Sequence, residues 1–132
     1  MAAPFESLDF VYMPSRDPER DLEYFERVLG ARVVFAIDDG GTRVAMLELS
    51  EAGPRVMLAG HLGGATPILV YRVASLRQAI EDLEGRGWQR GTTLEIPHGP
   101  CCSFEAPGGH RIAIYELARP FMDSHFAGRR DF

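Results

Sequence analysis

Apolar and polar positions follow one order twice along the chain. The first round opens with the apolar stretch Leu8-Asp9-Phe10-Val11-Tyr12-Met13, the second with Ile68-Leu69-Val70-Tyr71-Arg72-Val73. Each stretch is strand-like in length and is followed by apolar residues at helical spacing: Leu22, Phe25, Val28 and Leu29 in the first round, Leu76, Ala79, Ile80 and Leu83 in the second. Asp17-Pro18 predicts the start of the first helix, with Asp17 as N-cap and Pro18 where a missing N–H does no harm, and Gly30 closes it. Ser75-Leu76-Arg77-Gln78 is a capping box for the second helix, which ends at Gly85 or Gly87. Three strand-like segments then complete each round: Arg32–Ile37, Thr42–Leu49 and Arg55–Ala59, and later Thr92–Ile96, Cys101–Glu105 and Arg111–Glu116. Asp38-Asp39-Gly40-Gly41 predicts a hairpin turn, and Pro97-His98-Gly99-Pro100 and Pro107-Gly108-Gly109 separate the later strands.

A unit of this kind cannot bury its apolar sheet face alone. The expectation is an α+β fold, a single domain over residues 1–132. Two tandem βαβββ modules, about 8–60 and about 67–117, form a half-open barrel-like sheet with helices on its outer face. The tail 118–132 is apolar enough around Phe121, Met122 and Phe126 to dock on a surface, while Gly128–Phe132 reads as frayed.

Composition narrows the function classes. The 132 residues are 45% hydrophobic and 25% charged, an ordinary globular balance. A formal charge of -5 with no basic stripe argues against nucleic acid. No apolar run approaches the roughly 18 residues of a membrane span, and Met1-Ala2-Ala3-Pro4 lacks the charged and apolar regions of a secretory leader, so a cytoplasmic protein without membrane contact is expected. Cys101 and Cys102 are adjacent and would close almost no loop as a disulfide, so they read as reduced thiols.

The segments Leu8-Asp9-Phe10-Val11, Asp17, Tyr24-Phe25-Glu26-Arg27-Val28-Leu29-Gly30 and Phe104-x-Ala106-Pro107-Gly108-Gly109-His110-Arg111-Ile112-x-Ile114-Tyr115-Glu116 resemble, in order and spacing, the vicinal oxygen chelate superfamily of glyoxalase I, extradiol dioxygenases, methylmalonyl-CoA epimerase and the bleomycin and fosfomycin resistance proteins. The resemblance covers residues 8 to 117. It implies that, in metal-dependent members, the first and last strands of each half supply His, Gln or Glu ligands to one divalent ion. Carried onto this chain, those places fall on Phe10, Met57, Ile68 and Ala113. Phenyl and alkyl groups have no lone pair and a thioether is a soft ligand, so no metal and no cofactor are expected.

Strand alternation predicts what lines the inward face: Phe10 and Tyr12, Arg55, Met57 and Ala59, Ile68, Val70 and Arg72, and Arg111, Ala113 and Tyr115. Val11, Met13, Val56, Leu58, Leu69, Tyr71, Val73, Ile112 and Ile114 face the helices. An apolar centre with arginines and tyrosines toward its ends suits a small molecule; the bland alternative is a filled core with arginines reaching water. His61 continues the inward parity of Met57 and Ala59, and His98 lies on a loop that, by the resemblance, borders the cavity. The expected ligand-binding set is therefore Phe10, Tyr12, Arg55, Met57, His61, Ile68, Arg72, His98, Arg111, Ala113 and Tyr115, with no catalytic residue assigned.

Two readings remain. The four apolar replacements favour a metal-free binding protein of the glyoxalase/bleomycin resistance type, enclosing an apolar or aromatic metabolite or antibiotic. The alternative is a lyase, isomerase or dioxygenase-like enzyme of the same superfamily, since tyrosines and arginines can polarise a carbonyl without metal. The partners expected are a small-molecule ligand and a second copy of the chain, as a homodimer to which the tail contributes.

Overall fold

The structure is a computed structural model that describes residues 4–132; the leader reading at Met1–Ala3 lies outside the described residues. The fold is α+β and consists of two βαβββ modules. Contacts group Phe10–Pro67 with Asp123–Phe132 in one compact unit. The other unit joins the residues up to Asp9 with Ile68–Met122.

The first module contains β1 (Phe5–Pro14), α1 (Pro18–Glu23), β2 (Arg32–Asp39), β3 (Thr42–Glu48) and β4 (Arg55–Ala59). Its strands lie in the order β2-β3-β4-β1. β2, β3 and β4 form an antiparallel meander. β4 then runs parallel to β1, from Phe10 opposite Arg55 to Pro14 opposite Ala59. The β2–β3 hairpin turns through Gly40 and Gly41, whose φ angles of 60° and 86° are those of the tight turn that matches strand twist.

Asp17 caps α1 by accepting from the Arg20 N–H at 3.2 Å, a contact worth about 1 kcal/mol. Leu22 carries that helix into a cluster with Ala31, Ala36, Ala45, Leu47, Val56 and Leu58, with Met13 and Phe25 packed beside it. Here one expectation fails. Residues Tyr24–Val28 form a π-helical turn, with Leu29 N–H bonded to the Tyr24 carbonyl and Ala31 N–H to that of Phe25. The wider turn rotates the following residues out of phase with Leu22, so Val28 and Leu29 are exposed instead of facing the core.

The second module contains β5 (Ile68–Val73), α2 (Leu76–Glu84), β6 (Thr92–Ile96), β7 (Gly99–Glu105) and β8 (Arg111–Glu116), in strand order β5-β8-β7-β6. It repeats the plan of the first: β5 and β8 are parallel and β6, β7 and β8 are antiparallel. The Ser75 hydroxyl accepts from Gln78 N–H, and the Glu116 carboxylate accepts from Leu76 N–H at 2.9 Å, so α2 starts on two caps. Leu76, Ala79 and Ile80 pack on Val73, Cys102 and Ile114; burying Leu76 and Ile80 contributes about 1.5–3 kcal/mol each.

The tail departs most from expectation. Met122–Phe126 is a short helix, α3, and the residues after it pair with β2 in place of fraying. Gly128 N–H donates to the Val34 carbonyl, Ala36 N–H to that of Arg129, and Asp131 N–H to that of Ala36. The Asp131 carboxylate accepts from Asp38 N–H at 2.8 Å, and Phe132 joins the cluster beneath α1 with the Arg43 guanidinium over its ring. An edge strand with free backbone groups is thereby paired along its middle by residues 128–131 of the same chain.

Candidate functional site

In the first module, Ala36, Ala45, Leu47, Val56 and Leu58 face α1, so Phe35, Met46, Arg55 and Met57 lie on the opposite face. Cross-strand register sets Phe35 beside Met46, Met46 beside Met57 and Met57 beside Tyr12, while Phe10 sits opposite Arg55. Phe10, Tyr12, Phe35, Met46 and Met57 are all buried. The Phe10 and Tyr12 rings meet edge to face, 6.2 Å apart. Arg55 is the polar member of this face. Its Nε and Nη2 lie 3.1 and 3.0 Å from the Glu48 carboxylate, and its Nη1 lies 2.7 Å from that of Asp123 on α3. Glu48 is shared with Arg32, whose hydrogen bond holds that carboxyl below the usual carboxylate range.

His61, by contrast, is exposed on the turn beyond β4. The strand ends at Ala59, so inward parity does not extend to it. Of the predicted residues in this module, the structure brings Phe10, Tyr12, Arg55 and Met57 together on one face and leaves His61 apart.

In the second module, Val73 and Ile114 face α2, which puts Val70, Arg72, Ala113 and Tyr115 on the other face. Val70, Ala113 and Tyr115 are buried, as is Cys101, which sits opposite Tyr115. A polar network closes one end of this face. The Tyr115 hydroxyl donates to Oδ2 of Asp9 at 2.5 Å, Ser7 donates to Oδ1 at 2.6 Å, and Arg72 Nε lies 3.1 Å from Oδ2. Ser7 and Asp9 were not among the predicted site residues. Their signal was present as polar residues inside an apolar strand, but the strand was read from Leu8 onward and actually begins at Phe5.

His98 occupies the two-residue turn between β6 and β7 and is only 3% exposed. Its carbonyl accepts from the N–H groups of Ala118 and Arg119, and its ring lies 6.3 Å from that of Tyr115. At the other end of the face, Ile68 and Arg111 are cross-strand partners and line a cleft of about 340 Å³ with Thr92, Ser103 and Glu105. The second module therefore divides its predicted residues: Arg72, Tyr115 and His98 at one end, Ala113 in the middle, Ile68 and Arg111 at the other.

The places where the fold would hold a metal do not fit one. Phe10, Met57 and Ala113 are buried apolar groups and Ile68 is a half-buried alkyl group. Among the described residues, no group of three or more His, Cys, Asp or Glu side chains could hold an ion. Cys101 and Cys102 are both buried and free. Burial, aided by Cys102 and Glu95, pushes the Cys101 thiol up to about 12, so it stays protonated and unreactive at neutral pH.

No protein-family model matches the sequence, and no curated protein does. Solved structures do match. Methylmalonyl-CoA epimerase from Mycobacterium tuberculosis aligns with a TM-score of 0.72 at 21% identity, over 90% of this chain and 93% of that one. A variant of the Streptomyces coelicolor epimerase in complex with 2-nitronate-propionyl-CoA aligns with a TM-score of 0.70 at 14% identity, over 87% and 99% of the two chains. A methylmalonyl-CoA epimerase in complex with methylmalonyl-CoA and an ammonium ion gives 0.69 at 14%, over 86% and 96%. The chain thus has the fold of the vicinal oxygen chelate proteins. Within it, the structures described are epimerases.

Proposed function

We propose that the protein binds a small acyl ligand that carries a carboxylate, and that it does so without the metal chemistry of its fold. The observation that carries this reading is the pairing of buried aromatic and aliphatic side chains with a partly exposed guanidinium on one strand face: Arg55 beside Phe10, Met46 and Met57. Arg72 stands in the same relation to Val70 and Tyr115 in the second module. Guanidinium groups match carboxylates by paired hydrogen bonds, and the apolar surface suits an acyl or aromatic body.

A second reading, isomerisation of such a ligand, is supported by the comparisons more than simple binding is. The neighbouring structures are epimerases, and two of them hold CoA esters. On this reading the Tyr115–Asp9 pair is the arrangement best suited to hold a proton near a substrate carbonyl. The apolar residues at the four ligand places favour binding alone.

One experiment separates the two. Methylmalonyl-CoA and succinyl-CoA are titrated by calorimetry, and methylmalonyl-CoA is then incubated in deuterium oxide with and without added divalent metal. Binding without deuterium entry at the α-carbon supports the first reading, deuterium entry the second, and no heat with either ester overturns both.

A homodimer in the cytoplasm belongs to the same proposal. The exposed Tyr24, Val28 and Leu29 beside the π-turn offer an apolar contact, whereas the tail is taken up by its own chain. Light scattering at twice the 14.7 kDa chain mass is expected.

A further inference from the structure

The two modules treat the outer edges of their strands differently. In the first, β2 is outermost, and residues 128–131 pair with it at Val34 and Ala36. In the second, β6 is outermost, and among the described residues no strand or bridge pairs with its outer side. Thr92, Thr93, Leu94 and Glu95 are all exposed, so β6 meets water on both faces as well as along its edge; Leu94 is 42% exposed. The usual guards of an edge are missing. β6 holds no proline, its register with β7 is unbroken from Thr92 to Ile96, and the chain contains no lysine. The charge on β6, that of Glu95, is matched within the chain. Arg119 Nη2 lies 2.7 Å from its carboxylate and donates to the Ile96 carbonyl at 2.8 Å, while Arg119 Nε donates to the Pro97 carbonyl.

The ladder with β7 determines which backbone groups of β6 face outward. The Ser103 hydroxyl donates to the Thr92 carbonyl at 3.5 Å, so that carbonyl turns toward β7. Pro100, opposite Glu95, has no N–H to give it. Groups alternate along a strand, so Thr92, Leu94 and Ile96 bond to β7 while the N–H and C=O groups of Thr93 and Glu95 point away from it.

We infer that β6 pairs with β6 of a second copy of this chain, antiparallel, about a two-fold axis through Leu94. In that register Thr92–Ile96 overlaps its copy along its whole length. Thr93 and Glu95 exchange backbone hydrogen bonds with Glu95 and Thr93 of the copy, and the two Leu94 side chains meet at a close, non-hydrogen-bonded position. Moving the register by one residue sets outward groups against groups already used by β7. Moving it by two either places Glu95 directly against Glu95 of the copy, where like charges repel, or leaves Leu94 against Thr92 with a shorter overlap. Antiparallel pairing also brings Arg90, just before each strand, toward the end where the copy holds Glu95; parallel pairing would set like charges side by side. The inference rests on the homodimer reading above and names β6 as the seat of the second copy, with the apolar residues beside the π-turn as the competing surface. The contact is small for a protein interface, so the dimer dissociates on dilution.

Sedimentation equilibrium of the full chain should show a mass that rises with concentration from 14.7 kDa toward twice that value. Leu94→Lys sets two ammonium groups together on the axis, and Thr93→Pro removes an outward N–H without touching the bonds to β7. Each should raise the dissociation constant about tenfold or more, whereas Val28→Glu should leave it unchanged. Amide exchange at Glu95 should slow with rising concentration in the parent and not in the variants. Leu94→Cys should give a disulfide-linked dimer on mild oxidation, since the axis sets each residue 94 beside its copy, and the equally exposed control Leu49→Cys should not. The pairing is overturned if the parent is a dimer that Leu94→Lys and Thr93→Pro leave intact and Val28→Glu dissociates; the homodimer reading then survives. A parent that stays at 14.7 kDa at every concentration overturns both. Thermal unfolding identifies a variant that has lost its fold, and the other variant and the Leu94→Cys cross-link then decide.

Discussion

The Tyr115 hydroxyl and the Asp9 carboxylate are 2.5 Å apart, although 105 residues separate them in the chain. The same carboxylate meets Ser7 and Arg72, so Asp9 is where the start of the chain is tied to β5 and β8. Tyr115 is 1% exposed, so the contact is shielded from water. Tyr115→Phe should cost about 1–3 kcal/mol and lower the melting temperature by several degrees. Asp9→Asn should cost a similar amount, and the double variant should cost clearly less than the sum, because both changes remove one shared interaction. Strict additivity in calorimetry would show that the contact contributes nothing to stability.

Gly99 gives a prediction of backbone clearance. A Cβ added there would lie 2.0 Å from the Glu116 carbonyl oxygen, at a backbone φ of 156°. Neither atom belongs to a flexible side chain, so Gly99→Ala must move the β6–β7 turn away from the end of β8. We expect markedly reduced stability in a urea titration. Gly63→Ala, where nothing lies within 4 Å, should change the midpoint little.

Two carboxylates predict the acid limb of stability. The Arg32 hydrogen bond keeps Glu48 below the ordinary carboxylate range, and Arg129 followed by the Asp38 N–H does the same for Asp131. A folded-state value below the unfolded one makes the contribution complete above the unfolded value of about 4 and removes it as pH falls through that value and lower. The melting temperature should therefore be flat between about pH 7 and 5 and fall below about pH 4. Exchange at the tail amides should quicken over the same interval, and added salt should flatten the fall because both carboxylates are near solvent. A melting temperature that rises on acidification through pH 4 would contradict the sign.

The adjacent thiols should be silent in the native protein. Cys101 is 3% exposed with its thiol raised to about 12, and Cys102 is fully buried. A thiol reagent at pH 8 should label neither until denaturant is added, and then both. Rapid labelling of the folded chain would mean that β7 opens far more often than its pairing with β6 and β8 suggests.

Metal should make no difference to the fold. Protein purified without chelator should carry well below one zinc, nickel, manganese or iron ion per chain, since Phe10, Met57, Ile68 and Ala113 offer no hard donor. Elemental analysis close to one ion per chain would overturn this and direct attention to donors elsewhere.

Much of the architecture could be read locally. β4, β5, β6 and β8 run between the residues that alternation and turn signals select, because Gly53-Pro54, Pro67, Pro97 and Pro107-Gly108-Gly109 punctuate the chain beside them. Asp17 and Ser75 cap their helices for the same reason: the cap lies within three residues of the N–H it serves. What escaped was non-local or depended on phase. Val28 and Leu29 keep helical spacing on paper, but the π-turn spends an extra residue before them and turns them outward. Asp123 carries no mark of its partner, since Arg55 lies 68 residues earlier. The apolar positions of the inward face were legible from parity. The use of the face's two arginines by Asp9 and Asp123 was not, because a charge on a strand does not announce which carboxylate it will meet.

The order in which the chain leaves the ribosome gives the tail a further meaning. The first module precedes the second in the chain, yet the residues that pair with the edge of β2 and pack Phe132 beneath α1, Asp123–Phe132, follow the second. Throughout synthesis of the second module, β2 therefore waits with unpaired amides and carbonyls beside the apolar Val34, Phe35 and Ala36, a combination that invites pairing with another chain. The first module is closed only after the second has been made, and a nascent chain stalled before Gly128 would present an adhesive strand that residues 128–131 otherwise cover.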